Sequence, residues 1–246
     1  MVSVWSSANA VVLGQLKTEE KSNEITAIPE LLDLLDIAGS TVTIDAMACQ
    51  KEIAKKIVDK NADYVLALKG NHETLHDDIR LYFEKCLETA NYDYDETVEK
   101  DHGRIETRRY WTTSNIKWLE CKEEWKKINT ICMVESDRCI ENQVSTEKRF
   151  YISSLQSDAK KIGQAIRKHW GVENSLHWSL DVTFNEDRCR IRKDNAAENF
   201  AVVRHIALNL LKKEKTAKVG IKIKRSKAGW DVGYLARVLE GINTPF

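Results

Sequence analysis

The chain has 246 residues, of which 42% are hydrophobic and 31% charged, and no apolar run approaches the roughly 20 residues of a membrane span. These values predict a soluble globular protein of one or two domains and exclude a membrane-embedded one. The net charge is zero, yet residues 1–100 hold 10 basic against 19 acidic side chains, and residues 101–246 hold 28 against 19. Only the second part has the charge to bind a polyanion.

The expected compartment follows from the N-terminus and the cysteines. The first residues, MVSVWSSANAVVLGQ, lack the basic region, the long apolar region and the cleavage site of a secretion signal, which predicts a cytoplasmic protein. The six cysteines lie far apart and show no zinc-ligand spacing. We therefore expect reduced thiols in the core.

The first part of the chain alternates between strand and helix patterns. Short β-branched runs predict strands, and apolar residues at intervals of three and four predict helices. The first helix is marked by Pro29 in its first turn and by Gly39 just past its end. The predicted elements are strands 2–5 and 11–18, helix 29–38, strand 40–46, helix 49–61 and strand 62–70. This order is typical of an α/β layer with parallel strands.

The second part contains a group of strands between helices. After a charged helix, three strand patterns suggest a sheet extension or an insertion. A later helix is expected to be capped by Ser157 or Asp158. The predicted elements are helix 73–90, strands 104–113, 125–138 and 147–155, and helices 157–180 and 195–213, followed by a strongly basic end.

Two carboxylates are candidates for a metal site. Asp45 ends a predicted buried strand, where open α/β sheets place ligand-binding groups, although it could simply cap the next helix. Glu173 shares a predicted helix face with Trp170, His177 and Asp181, which is unlike an ordinary apolar face. Carboxylates from a strand end and a helix suit Mg²⁺, whereas zinc would need a further histidine or cysteine.

Basic side chains occur in three places. Arg104, Glu106 and Arg108 share one face of a predicted strand, which fits either phosphate binding or a solvated edge strand. A cluster directly after the carboxylate-bearing helix has the composition to bind the DNA backbone. It consists of Arg188, Arg190, Arg192 and Lys193. The segment from Lys212 to Lys227 is also basic, but basic termini are frequently unstructured.

Five stretches resemble DDE insertion-sequence transposases of the H-repeat-associated type. Together they span nearly the whole chain from about residue 11 to 211, and such an ordered series is far more specific than one short motif. The stretches are GQLKTEEKSNEITAIPELL, TIDAMACQKEIAKKI, DYVLALKGNHETL, HGRIETRRYW and HWGVENSLHWSLDVTFNEDRCRIRKDNAAENFAVVRHIALNLLK.

The resemblance implies a catalytic Asp-Asp-Glu triad, with Mg²⁺ or Mn²⁺ assisting cleavage at transposon ends and joining to target DNA. Asp45 matches the second aspartate and Glu173 the glutamate, so both are expected to be catalytic and to bind the metal. Double-stranded DNA is the expected partner. The residues expected to contact it are Arg104, Arg108, His169, Arg188, Arg190, Arg192 and Lys193.

The chain departs from the family pattern in two respects. Related transposases often carry tyrosine, arginine and lysine around the glutamate, where Ile166, His169 and Leu180 stand here, as expected of the subgroup with the motif HWxxENxLHWxLD. The family's first aspartate lies in a strand that precedes VSVWSSANAVVLGQ, and no aspartate precedes Asp33. We therefore expect the first core strand and the N-terminal associated domain to be missing, and catalysis to be impaired.

The expected fold class is α/β, with a ribonuclease-H-like mixed sheet flanked by helices and a β-rich insertion at about 97–152 before the glutamate-bearing helix. Residues 1–211 are expected to form the catalytic domain and 212–246 a basic C-terminal tail. Transposases commonly act as multimers, so a homo-oligomer of unspecified size is expected. Two other functions stay open: a catalytically silent DNA-binding remnant, and another ribonuclease-H-like nuclease acting on DNA or RNA.

Overall fold

The structure, a computed structural model, describes residues 2–16, 24–87, 89–101, 103–141 and 143–243. The chain forms two compact units. We call residues 28–169 the central unit, and residues 1–27 with 170–246 the terminal unit. Residues 17 and 18, predicted to end the second strand, lie outside the described residues. The predicted division into domains remains a prediction.

The strands and helices follow one another along the chain in the order that the sequence predicts, with additions. The strands are β1 (Val2–Ser6), β2 (Val11–Leu16), β3 (Thr41–Ile44), β4 (Asp63–Leu68), β5 (Asp93–Asp101), β6 (Arg104–Thr113), β7 (Thr130–Ile140) and β8 (Gln143–Ser153). The helices are α1 (Glu24–Asp33), α2 (Lys51–Asp59), α3 (Glu73–Cys86), α4 (Ala159–Val172), α5 (Trp178–Phe184), α6 (Ala196–Lys213), α7 (Ile221–Trp230) and α8 (Val232–Glu240).

A six-stranded mixed sheet forms the centre of the central unit, in the order β3-β4-β8-β7-β6-β5. β3 and β4 are parallel, with Thr41 opposite Asp63 and Ile44 opposite Leu66, and the other neighbours are antiparallel. Helix α2 buries Ile53 and Ile57 in the same cluster as Tyr64 of β4. The predicted fold class, a mixed α/β sheet flanked by helices, is confirmed.

The predicted bounds of the first helix are wrong. Helix α1 begins at Glu24, so Pro29 lies inside it rather than in its first turn, and it ends at Asp33. The early end has a tertiary cause that local sequence does not reveal. The ammonium group of Lys60 donates to the carbonyl oxygens of Leu32 (2.5 Å) and Leu35 (2.7 Å) at this end, where Leu32 otherwise accepts only a long bond of 3.4 Å from the Leu35 amide.

Two observations concern the strands. The acidic segment that the sequence left unassigned forms β5, which pairs with β6 along its length. β6 therefore lies between β5 and β7, and the interpretation of residues 104–113 as a solvated edge strand is wrong. Helix α4 begins at Ala159 and is capped, as expected, by Asp158, whose carboxylate accepts from the amide of Lys161 at 2.8 Å.

The terminal unit combines the β1–β2 hairpin with the helices that follow α4. Val12 of β2, Leu176, Leu180 of α5 and Leu208 of α6 form one buried cluster. A second cluster joins the end of α6 to α8, so the basic segment after residue 212 contains two packed helices. Within the part of the chain that the structure describes, every helix is too short or too polar to cross a membrane.

Candidate active site

Asp45 directly follows β3, at the carboxyl end of the parallel pair β3–β4. The residue is exposed, and its Oδ1 accepts from the amide of Ala46 at 2.6 Å. It thereby caps the short 3₁₀ turn Ala46–Ala48. The capping role and a functional role are compatible, because the cap uses one carboxylate oxygen and the other can bind a ligand.

The loop after Asp45 is held by the loop that follows β4. The side-chain amide of Asn71 donates to the carbonyl oxygen of Ala46 at 2.7 Å. Nε2 of His72 donates to the carbonyl oxygen of Cys49 at 2.5 Å, and the imidazole packs edge-on against Trp125. Both residues belong to the KGNH sequence, which marked the family resemblance without indicating a role. Their contribution follows only from the parallel pairing of the two strands.

Only two of the six cysteines, Cys49 and Cys132, are buried, so the expected core position is wrong for the other four. All six are free thiols. Burial raises the pKa of the Cys49 thiol to about 12, so it remains protonated beside the Asp45 loop. Among the side chains that the structure describes, no three from His, Cys, Asp and Glu are grouped in a way that could hold a metal ion.

His169 lies against the strand that leads to Asp45. Its Nδ1 shares a hydrogen bond of 3.1 Å with Oγ1 of Thr43, between α4 and β3 within the central unit. Because Thr43 and Asp45 are alternate residues of an extended segment, they point to the same side of the sheet. This arrangement brings a predicted DNA-contacting residue to the Asp45 side of β3.

Glu173 is the first residue of a π-helical turn, Glu173–His177, between α4 and α5. Its side chain lies outside the described residues. The turn changes the local helical spacing, and the shared face of Glu173, His177 and Asp181 remains a prediction. Burial, and then Asp187, raise the pKa of Asp181. A raised pKa means that protons compete more strongly with a metal ion for this carboxylate.

The predicted DNA-contacting arginines fall into two groups. Arg108 forms ion pairs with Glu99 (3.0 Å) and Glu106, and Arg104 lies 3.3 Å from Glu106, so both guanidinium groups already contact carboxylates. The second group lies in the exposed segment between α5 and α6. It consists of Arg188, Arg190, Arg192 and Lys193, all of them exposed. Which of these residues bind DNA remains a prediction.

Comparison with known proteins identifies the family. The family described as "Transposase DDE domain" matches residues 1–210, and the chain belongs to it. It is 49% identical to "Putative transposase YncI" of Escherichia coli O157:H7, over 97% of this chain and 63% of that protein. It is 45% identical to "H repeat-associated putative transposase YhhI" of Escherichia coli strain K12, over 98% of this chain and 65% of that protein. The predicted resemblance is confirmed.

Proposed function

We propose that this chain is the catalytic core of a DNA transposase, which cleaves and joins DNA strands with the help of Mg²⁺ or Mn²⁺. The observation that carries the proposal is the position of Asp45 in a member of the DDE transposase family. An exposed carboxylate at the carboxyl end of a parallel strand lies where open α/β sheets bind their ligands.

Asp45 fits a divalent metal ion of the Mg²⁺ type, which prefers oxygen ligands and keeps several waters. The Ala46 amide orients one carboxylate oxygen, and the contacts from Asn71 and His72 hold the backbone of the loop. Glu173, the glutamate that matches the family motif, remains a predicted metal ligand. When bound, such an ion activates the attacking water or hydroxyl and stabilises the leaving oxygen. The residues of this chain would supply the carboxylates and bind the DNA backbone.

DNA binding is supported by the exposed basic segment of the terminal unit, residues 188–193. Exposed arginines and lysines bind phosphates without reading sequence and make the affinity dependent on salt. The same observation favours a second candidate function, DNA binding without catalysis. Metal-dependent nicking distinguishes the two.

The test is nicking of supercoiled plasmid DNA in Mg²⁺ or Mn²⁺, with EDTA as the blank. We expect Asp45→Asn and Glu173→Gln each to lower the rate about 100-fold or more, since each removes a negative oxygen ligand. Asp59→Asn is the matched control, because Asp59 is an exposed carboxylate at the end of α2. Nicking that survives in both site variants contradicts the proposal. Salt-sensitive binding with no nicking by the unaltered chain supports the silent DNA-binding function.

A further inference from the structure

The π-helical turn Glu173–His177 has a cause in the packing of the terminal unit. Val172, Leu176, Leu180 and Phe184 recur at every fourth residue and belong to one hydrophobic cluster. An α-helix has about 3.6 residues per turn, so side chains spaced by four drift around it. A turn with hydrogen bonds from residue i to i+5 contains more residues than an α-helical turn. One such turn therefore offsets the drift and keeps all four side chains on the buried face. Leu176, in the middle of the turn, is fully buried.

Lys212 of α6 donates to the backbone of this turn. Its ammonium group lies 2.9 Å from the carbonyl oxygen of Ser175, which also accepts from the Ser179 hydroxyl at 3.1 Å. The same ammonium lies 4.2 Å from the centre of the Trp5 ring. Lys212 lies one helical turn after the buried Leu208, on the same face of α6. This face points towards the π-helical turn. Its stem therefore packs while its charge meets a carbonyl group and a ring.

We infer that Lys212 is a positioning residue, which fixes the π-helical turn and so holds the backbone of Glu173 in place for metal binding. The inference rests on the proposed function for Glu173, whereas the contact with Ser175 stands by itself. A π-turn disturbs the regular ladder of backbone hydrogen bonds, and a side chain from another element can bond the carbonyl groups that it exposes. Burial, and then Lys215, lower the pKa of the half-buried Lys212 to about 8, as expected of an ammonium group that has lost part of its hydration.

The experiment compares Lys212→Met, Lys212→Arg and Lys215→Met in the full chain. Lys215 is the matched control because it is a neighbouring lysine that is exposed. The first measurement is amide hydrogen exchange of peptides covering residues 170–184, without DNA or metal. We expect exchange to be about tenfold faster in Lys212→Met, with the control unchanged and Lys212→Arg close to the unaltered chain. Unchanged exchange in Lys212→Met overturns the inference.

The second measurement is the steady-state rate of Mn²⁺-dependent nicking. A positioning role predicts that Lys212→Met lowers kcat about tenfold and raises the Mn²⁺ concentration for half-maximal rate, while KM for DNA stays constant. Lys212→Arg should restore most of the rate. A raised KM for DNA with unchanged kcat would instead mean that Lys212 binds DNA, which contradicts the inference. Absence of nicking by the unaltered chain contradicts the proposed function, and the exchange measurement then still decides whether Lys212 holds the turn.

Discussion

Asn71 stabilises the loop of Asp45 through one side-chain hydrogen bond, to the carbonyl oxygen of Ala46. Replacing it by aspartate keeps its shape but removes the donor. We expect Asn71→Asp to lower the nicking rate about tenfold, because the carboxylate of Asp45 loses its fixed orientation. The free energy of unfolding should fall by only about 1 kcal/mol, the usual net value of one hydrogen bond.

The control for Asn71→Asp is Thr74→Ala, an exposed position at the start of α3. Nicking rates and urea midpoints are compared for the three proteins. Equal losses of rate in both variants would show that the loop contact has no particular role. A loss of several kcal/mol in Asn71→Asp would assign the residue to stability rather than to the site.

Glu214 is a buried carboxylate that should make the terminal unit sensitive to acid. Burial opposes its charge, but hydrogen bonds from Thr216, Tyr234 and the backbone outweigh burial and hold its pKa at about 2. The usual pKa is 4.5, so the stabilisation is complete above about pH 4.5 and is lost as the pH falls towards 2. Glu214→Gln should therefore cost about 2 to 3 kcal/mol at pH 7 and less at pH 3.

Urea unfolding at pH 7, 5 and 3 checks the Glu214 prediction. Glu240→Gln, at the exposed end of α8, is the control for a change of net charge. A difference between Glu214→Gln and the unaltered chain that stays constant from pH 7 to pH 3 would contradict the assigned pKa.

At the level of elements, β5, β6 and β7 are joined by a row of charges around Arg109. Arg109 lies directly opposite Glu96 of β5 and Glu135 of β7, and it also binds Asp137 at 2.6 Å. Removing this guanidinium leaves three carboxylates facing one another. Because these groups are partly exposed, we expect Arg109→Met to destabilise the chain by about 1 to 2 kcal/mol rather than by the larger value of a buried site.

Arg138→Met is the control, since Arg138 makes one longer contact, 3.6 Å from Glu106. In urea unfolding at low salt, the free energy of unfolding should fall more in Arg109→Met than in Arg138→Met. Salt at 1 M should reduce this difference. A larger loss in Arg138→Met than in Arg109→Met would refute the prediction.

Sequence patterns predicted those elements that are determined by their own residues. The β-branched run of β3, the apolar run of β4 and the apolar spacing of α6 are each visible in a contiguous stretch of sequence. The misses have tertiary causes. Strand β5 is acidic, and arginines of β6 balance its charges only once the two are paired. The end of α1 depends on Lys60, more than twenty residues away.

In the candidate site, too, sequence patterns did not reveal contacts between residues that are distant in sequence. Asp45 was predictable because its position at a strand end follows from a single strand pattern. Asn71 and His72 were not assigned, because strand patterns do not show which side chains after β4 reach the backbone of the Asp45 loop. The π-helical turn at Glu173 depends on packing against Val12 and Leu208, which are distant in sequence. Sequence similarity identified these residues as part of a family, but not their contacts.

At the scale of the whole molecule, the zero net charge conceals the surface that we expect to meet DNA. Four exposed cations between α5 and α6 should each displace about one counterion from the DNA phosphates. Replacing all four by glutamine should reduce the slope of log K against log salt by about 3 to 4, with a large loss of affinity at low salt. The four residues are Arg188, Arg190, Arg192 and Lys193.

A charge-matched control decides whether position or net charge is responsible. It replaces four exposed lysines of the central unit by glutamine: Lys55, Lys85, Lys117 and Lys126. Both variants lose four charges, so long-range attraction falls equally, while only the first loses phosphate contacts if residues 188–193 bind DNA. Filter binding of a labelled duplex between 50 and 200 mM salt measures both slopes. Equal slopes in the two variants would show that residues 188–193 are not the DNA interface and that binding depends on net charge alone.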